Sequence, residues 1–436
     1  PTLSESDGAR ARTPVDAFAL RRLRERGISF SPEAGRVTLL RRAYFDLIGL
    51  PPSPDVARAF LADRSSEAYE RLIDELLKSP HYGERWGRHW LDVAGYADSE
   101  GHTERDDARP HAWRYRDYVI KALNEDKPFD RFIVEQFAGD ELVPQPHRNL
   151  TPEQIELLSA TGYLRLAADG TGSGANDELG RNQVVADTLK IVSTSLLGLS
   201  VGCAQCHDHR YDPISQRDYY ELRAVFEPAL TGAGWRTPAQ RRVSLYTDAD
   251  RKAAAEVEKE ARVVAVEKGK KQAEYIAAAL AKELEKYQPP LREQLHAAYK
   301  TPAAKRSAEQ KALLKKNPAV NISGGVLYQY NQKAADDLKT YDARMVKIRT
   351  KKPKEEFLRV LSETPGKAPL TKIFHRGDPR QPKDAVGPAG LTIAAPPGKP
   401  RQFEADDKAM PTSGRRLAYA RWLTGGEHPL TARVIV

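Results

Sequence analysis

Two cysteines stand three positions apart in the stretch GLSVGCAQCHDHRYDPISQRDYY, residues 198–220, and a histidine directly follows the second. Cys203, Cys206 and His207 spell C-x-x-C-H, the pattern of covalent c-type haem attachment. The spacing has a chemical reason. One helical turn brings two thiols to the two vinyl groups on one porphyrin edge, and the adjacent imidazole points at the iron as proximal ligand. The same residue types serve other chemistry. A thiol–disulfide pair follows a strand and opens a helix in a βαβ setting, and no such pattern is seen here. A structural zinc site wants a second pair of ligands, and the chain has no further Cys. A plain disulfide or two free thiols is the remaining reading. Haem attachment is the leading one, with one haem c per chain.

An iron held by His207 raises the question of its sixth ligand. Met345 and Met410 both fall in polar stretches, unlike the buried loop methionine of a high-potential cytochrome. His209 is too near His207 to reach the opposite haem face, so a hydrogen bond that orients a neighbouring ligand, or a surface pair with Asp208 or Asp212, is expected of it. His89, between Trp86 and Trp90, is the distal candidate, with His102 and His111 behind it; an ordinary packed or exposed histidine is the competing reading for each. Iron left five-coordinate is the other outcome. Six-coordinate iron would suit electron transfer, and an open position would suit a haem-dependent oxidoreductase or peroxidase. In the second case Arg85, Arg88, Asp92 and Asp98 become pocket acids and bases. No Ser/His/Asp or paired-carboxylate arrangement is specific enough to indicate hydrolysis.

The elements that must position these residues read as helices. From Pro14 to Lys78, prolines and serines at helix starts and glycines at helix ends mark several short amphipathic helices. Residues 81–140 are rich in Trp, Tyr and Phe interleaved with charge, either a helical core with satisfied polar tips or one wall of a cofactor pocket. A Gly-rich loop at 168–181 lacks the features of a phosphate-binding loop, and a helix over about 182–199 leads into the cysteines. Residues 249–287 are dominated by Ala, Glu and Lys, a long solvated helix whose partner is expected at 333–362. From 364 the chain is rich in Pro and Gly with short β-like pieces. The expected fold is therefore mainly α. A helical haem-motif domain spans 14–228, a charged helical hairpin or coiled-coil insertion 249–363, and a Pro/Gly-rich, β-containing segment 364–436.

Composition bounds the function. The 436 residues carry 69 Lys and Arg against 60 Asp and Glu, a net charge of +9 that is modest for the length. The basic runs KRSAEQKALLKKNP and RTKKPKEE lack interleaved aromatics, so they read as solvated faces and no nucleic-acid partner is expected. The longest apolar run, IVSTSLLGLSVGCA, is too short to cross a bilayer. No signal peptide is seen, and a start at Pro1 without Met fits a processed or trimmed start, compatible with an exported precursor.

The stretch CAQCHDHRYDPISQRDYYEL resembles the central motif of a planctomycete-type domain of unknown function associated with cytochrome c-like modules. The resemblance extends through RRAYFDLIGLPPSP, LLKSPHYGERWGRHWLDVAGYADSEG, WRYRDYVIKALNEDKPFDRFIVEQFAGDEL and ATGYLR, covering about residues 15–228. The end, LAYARWLTGGEHPLTARVIV, resembles the opening of the companion domain that follows in such proteins, so the chain is expected to continue beyond Val436. The resemblance departs at Gly95, where Arg is expected. It implies covalent haem and export to the periplasm or cell surface and names no substrate; the electron-transfer reading calls for a redox partner protein. A third reading is a haem-stapled structural or assembly module that docks a subunit through the charged hairpin.

Overall fold

The computed structural model describes all residues except 102–105, 232–233, 367, 396–400 and 436, so the His102 candidate lies outside the described residues. Helices dominate and strands are few, as the periodicity predicts.

Local chemistry sets the early helices. Thr13 and Ser53 accept the backbone N–H groups of Asp16 and Val56, with Pro14 and Pro54 in the first turns. The helix Ala68–Leu77 differs from expectation, because no side chain caps it; the Ser65 N–H is turned toward Asp63 Oδ1 at 2.9 Å. Ser79 caps the helix Pro80–Ala94, which stops at Gly95 with φ 71°. That left-handed conformation costs a Cβ-bearing residue energy, so Gly95 acts as a backbone stop.

The chain divides into two units, one of Pro1–Pro144, Gln154–Arg242 and Arg359–Val436, the other of Gln145–Glu153 and Val243–Leu358. In the first, helices Phe129–Ala138, Glu178–Leu197, Gln216–Thr231 and Arg415–Leu423 bury Phe137, Leu189, Phe226 and Tyr419 in one core. The Phe137 and Phe226 rings meet edge-on at 5.5 Å, and Tyr419 lies 5.8 and 5.7 Å from them. Trp90 enters the same core, and its indole N–H reaches Tyr115 Oη at 2.9 Å and Gln136 Oε1 at 3.1 Å. Much of the segment set apart at 364–436 therefore packs with the helices of 14–228. Its Pro/Gly composition reads as a separate piece, but Leu391, Tyr419 and Leu423 are wholly buried. Strands β1 (Arg242–Ser244) and β2 (Phe357–Arg359) form one two-stranded sheet. Strands β3 (Thr371–Phe374) and β4 (Pro382–Val386) form an antiparallel hairpin.

In the second unit the helix Asp248–Leu284 pairs with Gln332–Arg349. Lys351 meets Glu260 at 2.9 Å, Lys268 meets Asp342 at 2.6 Å, and Tyr275 donates to Asp337 at 2.9 Å. One number rises as the other falls, so the helices run antiparallel. Leu280, Leu284, Leu295, Leu314, Leu327 and Leu338 give this unit its own core. The second arm ends at Arg349 rather than near 362, with Pro353, which disfavours helix, shortly beyond.

Candidate functional site

The cysteines follow a sharp stop. The helix Glu178–Leu197 ends at Gly198 in the left-handed conformation, and Val201 and Ala204 bury into the core. Residues Gly202–Gln205 then form a 3₁₀ turn, closed by the Cys206 N–H to the Cys203 carbonyl at 3.3 Å. Positions three apart eclipse in such a turn, so the two side chains share a face. Both thiols are free and exposed.

The turn is clamped from behind. The Gln205 carbonyl accepts Gln216 Nε2 and the Tyr220 hydroxyl, each at 3.1 Å. Gln216 Nε2 also donates to the Phe374 carbonyl of β3 at 3.1 Å. Beyond β3, Gly377 has φ 76°, and a Cβ there would lie 2.8 Å from Cys206 Sγ. Only glycine lets the backbone pass this close to the thiol.

His207 is oriented by its neighbour. Its Nδ1 lies 2.7 Å from the Asp208 carbonyl, which can only accept, so Nδ1 is the donor here and Nε2 is the nitrogen left open. The Asp208 carboxylate accepts the Gln216 N–H at 2.7 Å, tying this peptide to the start of the helix Gln216–Thr231. A ring N–H given to a carbonyl is how ligating histidines are held. His209 is committed elsewhere. Its ring is buried, and Nδ1 accepts the Asp212 N–H at 2.9 Å and lies 3.4 Å from the Asp212 carboxylate.

Among the described residues no group of three or more His, Cys, Asp or Glu side chains converges to hold a metal ion. A zinc cage needs convergence on one point. Haem attachment needs two thiols on one face and an imidazole nitrogen open to another atom, and Cys203, Cys206 and His207 fit that demand. When bound, the haem would supply one-electron chemistry, while the chain supplies the attachment and the imidazole orientation.

The other sequence candidates are dispersed. His89 is exposed on its helix, its ring 5.5 Å from that of Trp86. Arg88 and Asp92 form an exposed pair at 3.8 Å, and Asp98 accepts the Tyr96 hydroxyl at 2.7 Å. Arg85 lies under Gly49, and His111 lines a cavity with Glu100 and Asp169. Met410 packs against the core beside Gly414, and Met345 belongs to the second unit. Sequence reasoning missed Gln216, Tyr220 and Gly377. The first two fall one helical turn apart just after the motif, a legible signal; Gly377 carries none.

The fold defines a mainly helical protein with an exposed, clamped C-x-x-C-H turn. Residues 14–230 match the family model described as PSCyt2, a protein of unknown function (DUF1549), a planctomycete-type domain. No curated protein and no solved structure matches the chain.

Proposed function

We propose that this is an exported c-type haem protein in which Cys203 and Cys206 form thioethers, His207 is the proximal ligand, and electron transfer to a redox partner protein is the role. One observation carries the reading: two free, exposed cysteines three positions apart on a short 3₁₀ turn stand beside an imidazole whose Nδ1 is held by the Asp208 carbonyl. Attachment to such motifs occurs outside the cytoplasm, which supports a location in the periplasm or at the cell surface. No helix among the described residues is long and apolar enough to cross a membrane. A second reading, a haem-dependent oxidoreductase with an open iron position, is favoured by the commitment of Met410 to core packing and of His209 to its own turn.

The test is expression with export and haem-maturation machinery, followed by haem staining on a denaturing gel and oxidised and reduced absorbance spectra. The expected result is a stain that survives denaturation in the wild type and is lost in Cys203→Ser and Cys206→Ser. Sharp reduced bands identify electron transfer, and a broad high-spin spectrum identifies the open-site reading. Absence of haem from well-folded wild-type protein refutes the assignment.

A further inference from the structure

A cavity of about 340 Å³ in the first unit shares no lining residue with the cysteine turn; Glu100, Asp169, Ala239, Arg242 and Arg359 are among its walls. Guanidinium groups crowd around it. Glu100 is held by Arg109 at 3.0 Å and by both Nη atoms of Arg359, one of them at 2.8 Å. Asp169 holds Arg241 and accepts the Thr171 N–H at 2.9 Å and hydroxyl at 2.6 Å. Arg165 is buried between Leu164 and Leu166; its Nε reaches the Val360 carbonyl at 3.4 Å, and among the described residues no carboxylate pairs with it. Arg236 donates to the Ser362 carbonyl at 2.7 Å.

Arg109, Arg241 and Arg359 thus meet Glu100 and Asp169, Asp107 stands at the cavity wall, and Arg165 and Arg236 bond only backbone carbonyls among the described residues. Two positive charges are left over among the described residues, before the exposed Arg242 is counted. Unbalanced charge in a desolvated place is costly. Burial first, and neighbouring cations second, hold the Arg109 and Arg165 guanidinium groups below their usual range. Donors are also left over: Arg359 Nε and Arg241 Nη2 are buried with no acceptor among the described residues. Arg359 lines the cavity with 9% of its side chain exposed. A buried donor without a partner marks a missing acceptor.

The geometry points to a binding site for a dianionic tetrahedral oxyanion, a phosphate or sulfate group, free or as the ester of a small molecule, held by Arg359 and Arg242. Two charges match the excess, guanidinium forks suit such oxygens, and the volume admits a small attached body. The site does not depend on the haem assignment.

The experiment titrates inorganic phosphate, inorganic sulfate, a sugar phosphate and a sugar sulfate into the full chain at low ionic strength. Calorimetric binding and the thermal midpoint are read against chloride at matched ionic strength. Saturable one-to-one binding is expected, with a midpoint that rises with the logarithm of ligand concentration. Tighter binding of an ester than of its free ion identifies the ester as the ligand; the reverse identifies the ion. Arg359→Gln is expected to weaken binding at least about tenfold, the effect of losing one charge-assisted contact. Ala239→Trp puts a bulky ring into the cavity wall without changing charge and is expected to abolish binding; if Arg359→Gln fails to fold, this variant decides. A midpoint that follows ionic strength alone overturns the proposal, as does binding retained at full strength in the folded variants.

Discussion

At the residue scale, the cysteine turn works through closeness. The eclipsed positions of Cys203 and Cys206 put both thiols on one face, and the Asp208 carbonyl decides which imidazole nitrogen is open. Gly377 is the most sensitive neighbour. An added methyl would meet Cys206 Sγ at 2.8 Å and Gln205 Cγ at 3.3 Å, on a backbone with φ 76°. Gly377→Ala is therefore expected to cost roughly 1–2 kcal/mol from the left-handed conformation alone, before any clash. Denaturant unfolding checks the loss, and thiol labelling should show a changed Cys206 rate. An unchanged midpoint would mean that the hairpin does not press on the turn.

At the element scale, the paired helices of the second unit separate surface charge from packing. Arg349 meets Glu258 at 2.6 Å, but both side chains are about half exposed, and Lys352 shares the same carboxylate. Water and salt screen such pairs. Arg349→Ala is expected to lower stability only slightly at low salt and almost not at all at high salt. Leu338 is buried in the core of this unit, and Leu338→Ala is expected to cost roughly 2–4 kcal/mol at any salt concentration. Urea titrations at two ionic strengths separate the cases; equal losses for the two variants would contradict the account. The helix length itself follows from Ala, Glu and Lys content and from a Thr247–Asp250 capping box.

At the scale of the whole molecule, one buried charge network joins three distant parts of the first unit. Arg416, fully buried, holds Asp140 at 2.6 Å, Glu141 at 3.1 Å and Glu363 at 3.6 Å. Three carboxylates around one cation cannot all stay ionised cheaply. Burial pushes Glu141 from 4.5 up to about 7, against the pull of Arg416 and with help from Asp140 and Glu363. The folded chain therefore keeps a proton on Glu141 that the unfolded chain releases near its ordinary value. The stability this contributes is fully present below about pH 4.5 and is lost as pH rises through 7, on the order of 3 kcal/mol at full extent. Glu141→Gln is expected to flatten the stability–pH curve over that window while Leu417 keeps an amide oxygen to bond in place of the carboxylate. Parallel curves for the two proteins would show that another group controls this range.

The helices, the C-x-x-C-H spacing and the charged arm were legible because each depends on residues close together in the chain. Caps, helical periods and a three-residue spacing are local facts, and Ser53, Thr13 and Ser79 behave as their types dictate. Ser65 does not, because its Oγ accepts the Arg71 guanidinium at 2.6 Å instead of a helix N–H. What the tertiary structure alone decided depends on chain distance. It packed Tyr419 against Phe137 and Phe226 and set Gly377 against Cys206. It also gathered Arg109, Arg165, Arg241 and Arg359 around two carboxylates. Arg165 inside the apolar run TGYLRLAA was a visible hint of a buried charge, but its neighbours were not. Burial and Coulomb interactions act through space, and their partners carry no mark in the local sequence.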